Sequence, residues 1–197
     1  MDELEFLEIH KPTGESLDLR SWRIQGGVDF QFGVDHAATL PPGASVLILP
    51  FDHANPLHAC RVDAFRVHYG LDTSVVLVGS YNGQLDDNGA RVALQRSDAP
   101  TPSEPTFVPY VTEEEFLYDD RASWPSGADG TGRSLQRRAP VFYANLGQAW
   151  MSATPTPGTV QFDANVTGDF TGDGVVTGDD IDVLLDAVQT GKDVAYL

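Results

Sequence analysis

Short stretches in which apolar and polar residues alternate run through most of the chain. Between residues 5 and 25 this alternation flanks a turn at 12–14 and predicts two antiparallel strands. Trp22 has the largest apolar side chain of this stretch, so we expect it to anchor the core. A third alternating segment, at 28–32, follows a Gly-Gly turn and predicts the next strand.

A buried strand and a helix are predicted further along the chain. The apolar run 46–49 follows a Pro-Pro-Gly turn and is typical of a well-buried strand. Residues 54–70 predict a helix. Asn55 can cap its start, Pro56 suits its first position and Gly70 favours its end. We expect this single short helix to lie across one end of the sheet.

Turn signals separate the remaining predicted strands. Apolar segments at 75–78 and 92–94, and a longer alternating segment over 107–120, predict strands. Asn-Gly pairs at 82–83 and 88–89 predict turns. About eight or nine short strands, with turn signals roughly every 8–12 residues, indicate an all-β sandwich or barrel rather than alternating βαβ units.

Several blocks of sequence occur in an order that matches a known family. They are EFLEIHKPTGESLDLRSWRI, LPPGASVLIL, FRVHYG, GSYNGQLDDNGARVALQR, SWPSGADGTGRSLQR and WMSATPTPG. Together these blocks, which cover about residues 5–158, resemble the lamin-tail domain found in nuclear lamins and in many secreted bacterial proteins. The resemblance implies an immunoglobulin-like β-sandwich that binds or spaces and has no catalytic centre.

One strand of the family pattern is missing. Lamin-tail domains usually have a strand with a sequence like INEI before the first block, and this chain begins too late to contain it. The resemblance therefore implies an open sheet edge beside residues 5–9. Because unpaired strand edges readily pair with other chains, we predict self-association through that edge.

Oxygen donors in the segment DFTGDGVVTGDD follow the spacing of a calcium-binding loop. The predicted ligands are side-chain oxygens and one backbone carbonyl, from Asp169, Thr171, Asp173, Val175, Thr177 and Asp180. Gly174 occupies the sixth position, where such a loop turns sharply. Because hard oxygen donors at this spacing suit Ca²⁺, the sequence predicts an EF-hand-like calcium loop.

A helix is predicted directly after this loop. Thr177 suits its N-cap, with Asp180 three residues on, and the apolar face would consist of Ile181, Leu184, Leu185 and Val188. Loop and helix together resemble one half of a dockerin-type calcium repeat, in which two such units normally pair. Thr171 and Asp180 are weaker donors than an EF-hand usually has, so we expect modest affinity. The alternative is an acidic linker that only caps the helix.

Charge and composition exclude several functions. The formal charge is -17, from 29 acidic and 12 basic residues, which disfavours binding to nucleic acid or to anionic membranes. No apolar run is long enough to insert into a membrane, and the first residues lack a signal peptide. Cys60 is the single cysteine and is expected to be a buried small residue.

Two further patterns are candidates for chemistry. A glycan-hydrolysing or carbohydrate-binding site would use the acidic cluster 113–120, which consists of Glu113, Glu114, Glu115, Asp119 and Asp120. The string GADGTGRS at 127–134 is similar to a phosphate loop, but no strand feeds it and no helix follows it. We interpret the first as a solvated face and the second as a structural turn.

These observations combine into one hypothesis. Residues 1–158 form the lamin-tail-like sandwich, 159–168 a linker and 169–197 a dockerin-like calcium loop and helix. The chain would be a non-catalytic adhesion, anchoring or spacer module of a larger bacterial protein, with a protein or carbohydrate partner at the cell surface. An extracellular location is expected because millimolar Ca²⁺ outside cells would fill a weak loop.

Overall fold

The computed structural model describes residues 4–12, 14–34, 39–128, 130–162 and 176–190. One sheet has three strands, β1 (Leu7–His10), β6 (Ser45–Leu49) and β7 (Val76–Gly79), in the order β1-β6-β7. A second sheet has five, β3 (Trp22–Gly26), β4 (Val28–Gln31), β8 (Asn82–Gly83), β9 (Gly89–Ser97) and β10 (Tyr110–Asp119), in the order β10-β9-β3-β4-β8. The predicted mostly-β architecture is confirmed.

Smaller elements complete the described chain. Two two-stranded sheets pair β2 (Leu17–Asp18) with β5 (Thr39–Leu40), and β11 (Ser134–Arg137) with β12 (Trp150–Ala153). The α-helices are α1 (Ala59–Tyr69) and α2 (Gly178–Thr190). Short 3-10 helices occupy Pro56–His58, Ser126–Ala128 and Gly147–Ala149.

The main core lies between the inner faces of the two larger sheets. In β4 the buried Val28 and Phe30 alternate with the exposed Asp29 and Gln31, as the sequence predicts for a half-buried strand. The core cluster contains Leu19, Ile24, Val28, Phe30, Phe32, Leu40, Val46, Ile48, Val78, Tyr81 and Val92. Several sheets packed around a shared apolar cluster in this way are consistent with a β-sandwich.

The central strand of the three-stranded sheet, β6, is buried on both of its faces. All five residues of β6 are buried, and alternate side chains point to opposite sides of a strand. Val46 and Ile48 therefore join the core between the sheets, whereas Leu47 and Leu49 join a second cluster with Phe65 of α1. This double burial explains why the sequence of β6 is a continuous apolar run.

Helix α1 ends at Gly70 as predicted, but Asn55 caps the short 3-10 helix Pro56–His58 instead, α1 itself begins at Ala59, and the helix lies in a different place. The Asn55 side chain accepts a hydrogen bond from the Leu57 amide at 3.0 Å, and Gly70 ends the helix with a φ of 64°. The buried Phe65 packs with Leu47, Leu49 and Leu77. The helix thus covers the outer face of the three-stranded sheet, and the expectation that it lies across one end is wrong. An apolar outer face requires a covering layer, which the prediction did not consider.

Three local expectations are corrected. Trp22 is only half-buried and packs at the margin of the core, so it is not the central anchor. Cys60 is exposed on α1 because the helix turns its other side towards the sheet. The pair Asn82–Gly83 forms β8 beside β4 instead of a turn. The turn before Gly89 is confirmed, because the Gly89 amide donates a hydrogen bond to the Asp86 carbonyl at 3.0 Å.

The chain returns to β1 after β12. The Gly158 amide donates to Glu8 Oε1 at 3.2 Å, and the rings of Phe162 and His10 are 5.7 Å apart. Gly158 has a φ of 78°, and a Cβ there would meet the Val75 side chain at 3.0 Å. The proposed boundaries at 158 and 168 stay predictions, since residues 163–175 lie outside the described part of the chain.

Candidate functional site

The predicted calcium ligands fall into two groups. Asp169, Thr171, Asp173 and Val175 lie outside the described residues, whereas Thr177 and Asp180 are described. The Thr177 hydroxyl accepts from the Asp179 amide at 3.2 Å, and Asp180 Oδ2 accepts from the Thr177 amide at 2.6 Å. This reciprocal pair is a capping box, so the predicted N-cap of α2 is confirmed.

The junction between loop and helix provides oxygen donors for a cation. Asp180 is buried at the N-terminus of α2, where the helix dipole favours negative charge. Within the described ranges no group of three or more His, Cys, Asp or Glu residues is placed to hold a metal ion. Carboxylate and hydroxyl oxygens suit Ca²⁺, so the chemistry of Thr177 and Asp180 fits the predicted metal.

The acidic cluster is divided by arginine partners. Glu113 is ion-paired with Arg96, and Glu115 Oε2 lies 2.8 Å from Arg91. A third arginine holds the residue between them, because Glu114 Oε1 lies 3.0 Å from Arg137 Nη2. The strand register shifts between Thr112 and Glu114, which is a β-bulge at Glu113. Each of the three glutamates is therefore paired with its own arginine, and their charges do not act together as one acidic cluster.

A groove of about 470 Å³ opens beside these glutamates. Its floor is the exposed run 112–115 of β10, and its other wall is the loop 142–145. Tyr143 is 68% exposed in this wall. Asn145 Oδ1 accepts from the Leu117 amide at 2.7 Å and so fixes the loop to the edge of β10. The groove thus combines an accessible aromatic ring with carboxylate and amide groups.

Sequence reasoning missed Tyr143, Asn145 and Arg137. The Arg137 guanidinium donates to the Phe142 carbonyl at 2.7 Å and also lies over the ring of Trp150, 5.3 Å from its centroid. Burial lowers the pKa of Arg137, and the charge of Glu114 opposes that effect. The loop around Tyr143 has no strand or helix periodicity, so no sequence signal placed it opposite β10.

The other two members of the cluster lie apart from the groove. Asp119 and Asp120 are not among the residues that line it. Hydrogen bonding from Arg121 lowers the pKa of Asp119, whereas a hydrogen bond with Asp119 raises the pKa of Asp120. The Arg91 guanidinium lowers the pKa of Glu115. The raised and lowered carboxyls that an acid–base pair needs therefore do not face each other across this groove.

Three other tyrosines, Tyr81, Tyr110 and Tyr118, are poorly placed for stacking on a sugar. Tyr81 is buried and Tyr118 is half-buried. Burial raises the pKa of Tyr118, and the charges of Glu5, Asp86 and Asp87 act in the same direction. One face of the Tyr110 ring is covered by Arg23, whose Cζ lies 3.5 Å from the ring centroid. Tyr143 is consequently the better candidate for stacking.

The loop at 127–134, whose sequence is similar to a phosphate loop, makes structural hydrogen bonds within itself and to β12. Arg133 donates to the Ser152 carbonyl at 2.6 Å and to its hydroxyl at 3.1 Å. Thr131 donates to the Gly127 carbonyl. These contacts fasten the loop to β12, in agreement with its interpretation as a structural turn.

Three polar side chains, the buried Ser45 and the half-buried His10 and Glu8, lie on the outer face of the three-stranded sheet. His10 Nδ1 is 3.0 Å from the Ser45 hydroxyl, which also hydrogen-bonds to Glu8. Burial raises the pKa of Glu8 and lowers the pKa of His10. Both shifts disfavour the charged forms, so this group affects stability rather than offering an accessible reactive centre.

Comparison with known protein families gave no match. Comparison with curated proteins and with solved structures gave none either. No helix among the described residues combines the length and the apolar character needed to cross a membrane. The functional hypothesis therefore depends on the residues and geometry described above.

Proposed function

We propose that the chain is a non-catalytic immunoglobulin-like module of the lamin-tail type whose C-terminal loop binds Ca²⁺. It would act outside bacterial cells in adhesion, anchoring or spacing, as part of a larger protein, with a protein or carbohydrate partner. The observation that carries the calcium proposal is the junction at Thr177 and Asp180. There the capping box and the buried carboxylate agree with a loop–helix unit whose remaining donors precede it in the sequence.

Calorimetry with Ca²⁺ tests this proposal. We expect saturable heats from the wild type, their loss in Asp169→Ala, and their retention in Asp163→Ala, which removes an acidic residue outside the proposed ligand set. A site filled to 100 times its Kd would stabilise the folded segment by about 2.7 kcal/mol. Equal heats from the wild type and Asp169→Ala would contradict calcium binding by this loop.

The groove beside β10 favours a second candidate function, carbohydrate binding. Tyr143 offers an accessible ring for stacking, while Thr112, Asn145 and the glutamates offer hydrogen bonds. On a glycan array, we expect Tyr143→Ala to lose binding and Phe107→Ala, an exposed aromatic outside the groove, to retain it. Turnover of a polysaccharide that is lost in Glu114→Gln would instead show a hydrolase and overturn the non-catalytic proposal.

Self-association is the third part of the proposal. Among the described residues β1 pairs with β6 alone, which leaves one edge of the three-stranded sheet without a backbone partner. Light scattering should show a mass that rises with concentration, and hydrogen exchange at residues 7–10 should slow as it does so. A monomer at high concentration would count against pairing through this edge.

A further inference from the structure

Ser45 lies between two titratable side chains of β1. His10 is paired with Ser45 across β1 and β6, and its Nδ1 atom is 3.0 Å from the Ser45 hydroxyl. Glu8 lies two residues before His10 on the same face of the strand, and it also hydrogen-bonds to Ser45. The Gly158 amide donates to Glu8 Oε1 at 3.2 Å. Glu8, Ser45 and His10 therefore form one continuous chain of hydrogen bonds.

Ionisation of Glu8 determines the direction of the hydrogen bonds in this chain. A carboxylate only accepts hydrogen bonds, and a serine hydroxyl has a single proton to donate. When Glu8 is ionised, Ser45 must donate to it, so the Ser45 oxygen is left to accept from His10 Nδ1–H. A neutral imidazole carries one N–H, and the Nε2 atom of His10 is then an acceptor.

Protonation of Glu8 reverses the chain. The carboxylic O–H of Glu8 can donate to Ser45, whose own proton then points to His10 Nδ1. The ring proton of His10 is consequently on Nε2, which becomes a donor. Ionisation converts the second arrangement into the first with the net release of one proton. The Glu8 proton moves to Ser45, the Ser45 proton moves to Nδ1, and Nε2 loses its proton to water.

We propose that Ser45 is a hydroxyl relay through which ionisation of Glu8 changes His10 Nε2 from a hydrogen-bond donor to an acceptor. Ser45 is 9% exposed, so water has little access to compete for its hydroxyl. His10 lies at the end of β1, beside the ring of Phe162 in the returning chain. The relay thus gives this edge of the sheet a polar group whose hydrogen-bonding character depends on pH. It is a property of the single chain and does not depend on the proposed self-association.

Burial disfavours charge at both ends of the relay. It raises the pKa of Glu8, so the carboxyl ionises closer to neutral pH than an exposed one. It lowers the pKa of His10, so the ring stays neutral further into mildly acidic solution. The change of tautomer therefore occurs in a neutral ring and follows Glu8 rather than a charge on His10.

The charged groups of the neighbouring elements point elsewhere. Residues 45–49, 76–79 and 154–162 contain no charged side chain. Lys11 follows His10, but its ammonium extends towards the turn, where a Cβ on Gly14 would lie 3.5 Å from Nζ. The charged or titratable residues of α1 bind backbone carbonyls, contact rings or are exposed, and they are Cys60, Arg61, Asp63, Arg66, His68 and Tyr69.

Long-range proton–nitrogen NMR of the imidazole rings at alkaline pH tests the relay, because it distinguishes the protonated from the unprotonated ring nitrogen. We expect wild-type His10 to be mainly in the Nδ1–H form. His58 is an internal reference for this form, since its Nδ1 atom lies 2.8 Å from the Asp52 carbonyl, which can only accept. A wild-type His10 that is mainly Nε2–H would overturn the proposal.

Two variants break the chain at different points. Ser45→Ala removes the hydroxyl and Glu8→Ala removes the acceptor, so each should return His10 at the same pH to mainly Nε2–H, the form that an unconstrained imidazole favours. Ser97→Ala, which removes a hydroxyl from β9 in the other sheet, should leave His10 as Nδ1–H. An unchanged His58 signal shows that each variant is folded. Retention of Nδ1–H in Ser45→Ala or Glu8→Ala would contradict the relay.

Acidification tests the transmission itself. The Nδ1–H share of the neutral His10 rings should fall with the same midpoint as the carbon NMR shift of the Glu8 carboxyl group. A share that stays constant through the Glu8 midpoint would show that Ser45 does not transmit the state of Glu8, and the proposal would be wrong.

Discussion

The three-stranded and five-stranded sheets share one core but differ on their outer faces. The outer face of the smaller sheet is covered by α1 and the returning chain, and it holds the buried Leu47 and the half-buried Glu8. The outer face of the larger sheet is polar, where Arg23 donates to Gln95 at 2.8 Å and Gln95 to Thr112 at 3.0 Å. The first face is therefore packed and controls stability, whereas the second carries a polar hydrogen-bonded network that reaches solvent at Thr112.

The largest expected effect is at the doubly buried strand. Ile48→Ala and Leu47→Ala remove fully buried side chains from the two opposite faces of β6, so each should cost about 2–5 kcal/mol of unfolding free energy. Leu117→Ala, on the five-stranded sheet and 58% exposed, should change it by about 0.5 kcal/mol or less. Urea unfolding measures all three. A small loss for Leu47→Ala would mean that α1 does not cover this face.

Trp22→Ala should have an intermediate effect. Trp22 packs at the margin of the core and is only partly buried, so its truncation should cost about 2 kcal/mol, less than that of a fully buried tryptophan. Urea unfolding of Trp22→Ala and Ile48→Ala, measured side by side, ranks the two losses of unfolding free energy. A loss greater than that of Ile48→Ala would restore Trp22 as the central anchor.

Glu8→Gln should stabilise the protein at neutral pH. Burial raises the folded pKa of Glu8 above its ordinary value of 4.5, so its ionisation is penalised in the folded state. The stability that protonated Glu8 contributes is fully present below that ordinary value and is lost as pH rises through the folded pKa. Glutamine avoids this loss and can still accept the Gly158 amide hydrogen bond.

Thermal unfolding from acidic to neutral pH checks this prediction. The melting temperature of Glu8→Gln should match the wild type at low pH and exceed it at neutral pH. His10 supplies the opposite slope, because its lowered pKa makes stability fall as pH drops through its ordinary value of 6.5. The difference between variant and wild type isolates Glu8. A variant less stable at neutral pH would show that its charge is needed.

Glu115→Gln should have the smallest effect on stability. It should destabilise the protein at neutral pH, whereas Glu8→Gln should stabilise it. Arg91 lowers the folded pKa of Glu115, so the stability from this pair is present above the ordinary pKa and is lost as pH falls through the folded value. The pair is exposed to solvent, so the loss at neutral pH should be slight and should shrink further in high salt. Urea midpoints at low and high salt measure it. A loss comparable to that of Trp22→Ala would contradict this comparison.

The local elements were more predictable than their packing. The cap that Asn55 gives the 3-10 helix Pro56–His58, the end of α1 at Gly70 and the alternation in β4 follow from short-range chemistry that the sequence displays. The position of α1 depends on which face of β6 remains uncovered, and a fully apolar strand does not reveal that. Asn82–Gly83 became a strand because the backbone of Gly27 passes close by, where a Cβ on Gly83 would meet the Gly27 carbonyl at 2.2 Å.

The candidate sites also divide into features that neighbouring residues predict and features that only the folded packing creates. The capping box at Thr177 and Asp180 was predicted because its partners are three residues apart. The groove was not predicted, because Tyr143 and Glu114 line it together only after β11 and the loops on either side of it have folded. The separate arginine partners of the three glutamates come from other strands and were likewise invisible in the sequence.

The hydrogen bond between Gly158 and Glu8 also determines how the sandwich would sit within a longer polypeptide. Because it joins the first strand to the segment after the last one, the first and last described segments of the sandwich lie side by side. A domain whose first and last segments are adjacent would sit to the side of a longer polypeptide and would add little to its end-to-end length. If the module acts as a spacer, it would separate neighbours by its bulk rather than by extending the tether between them.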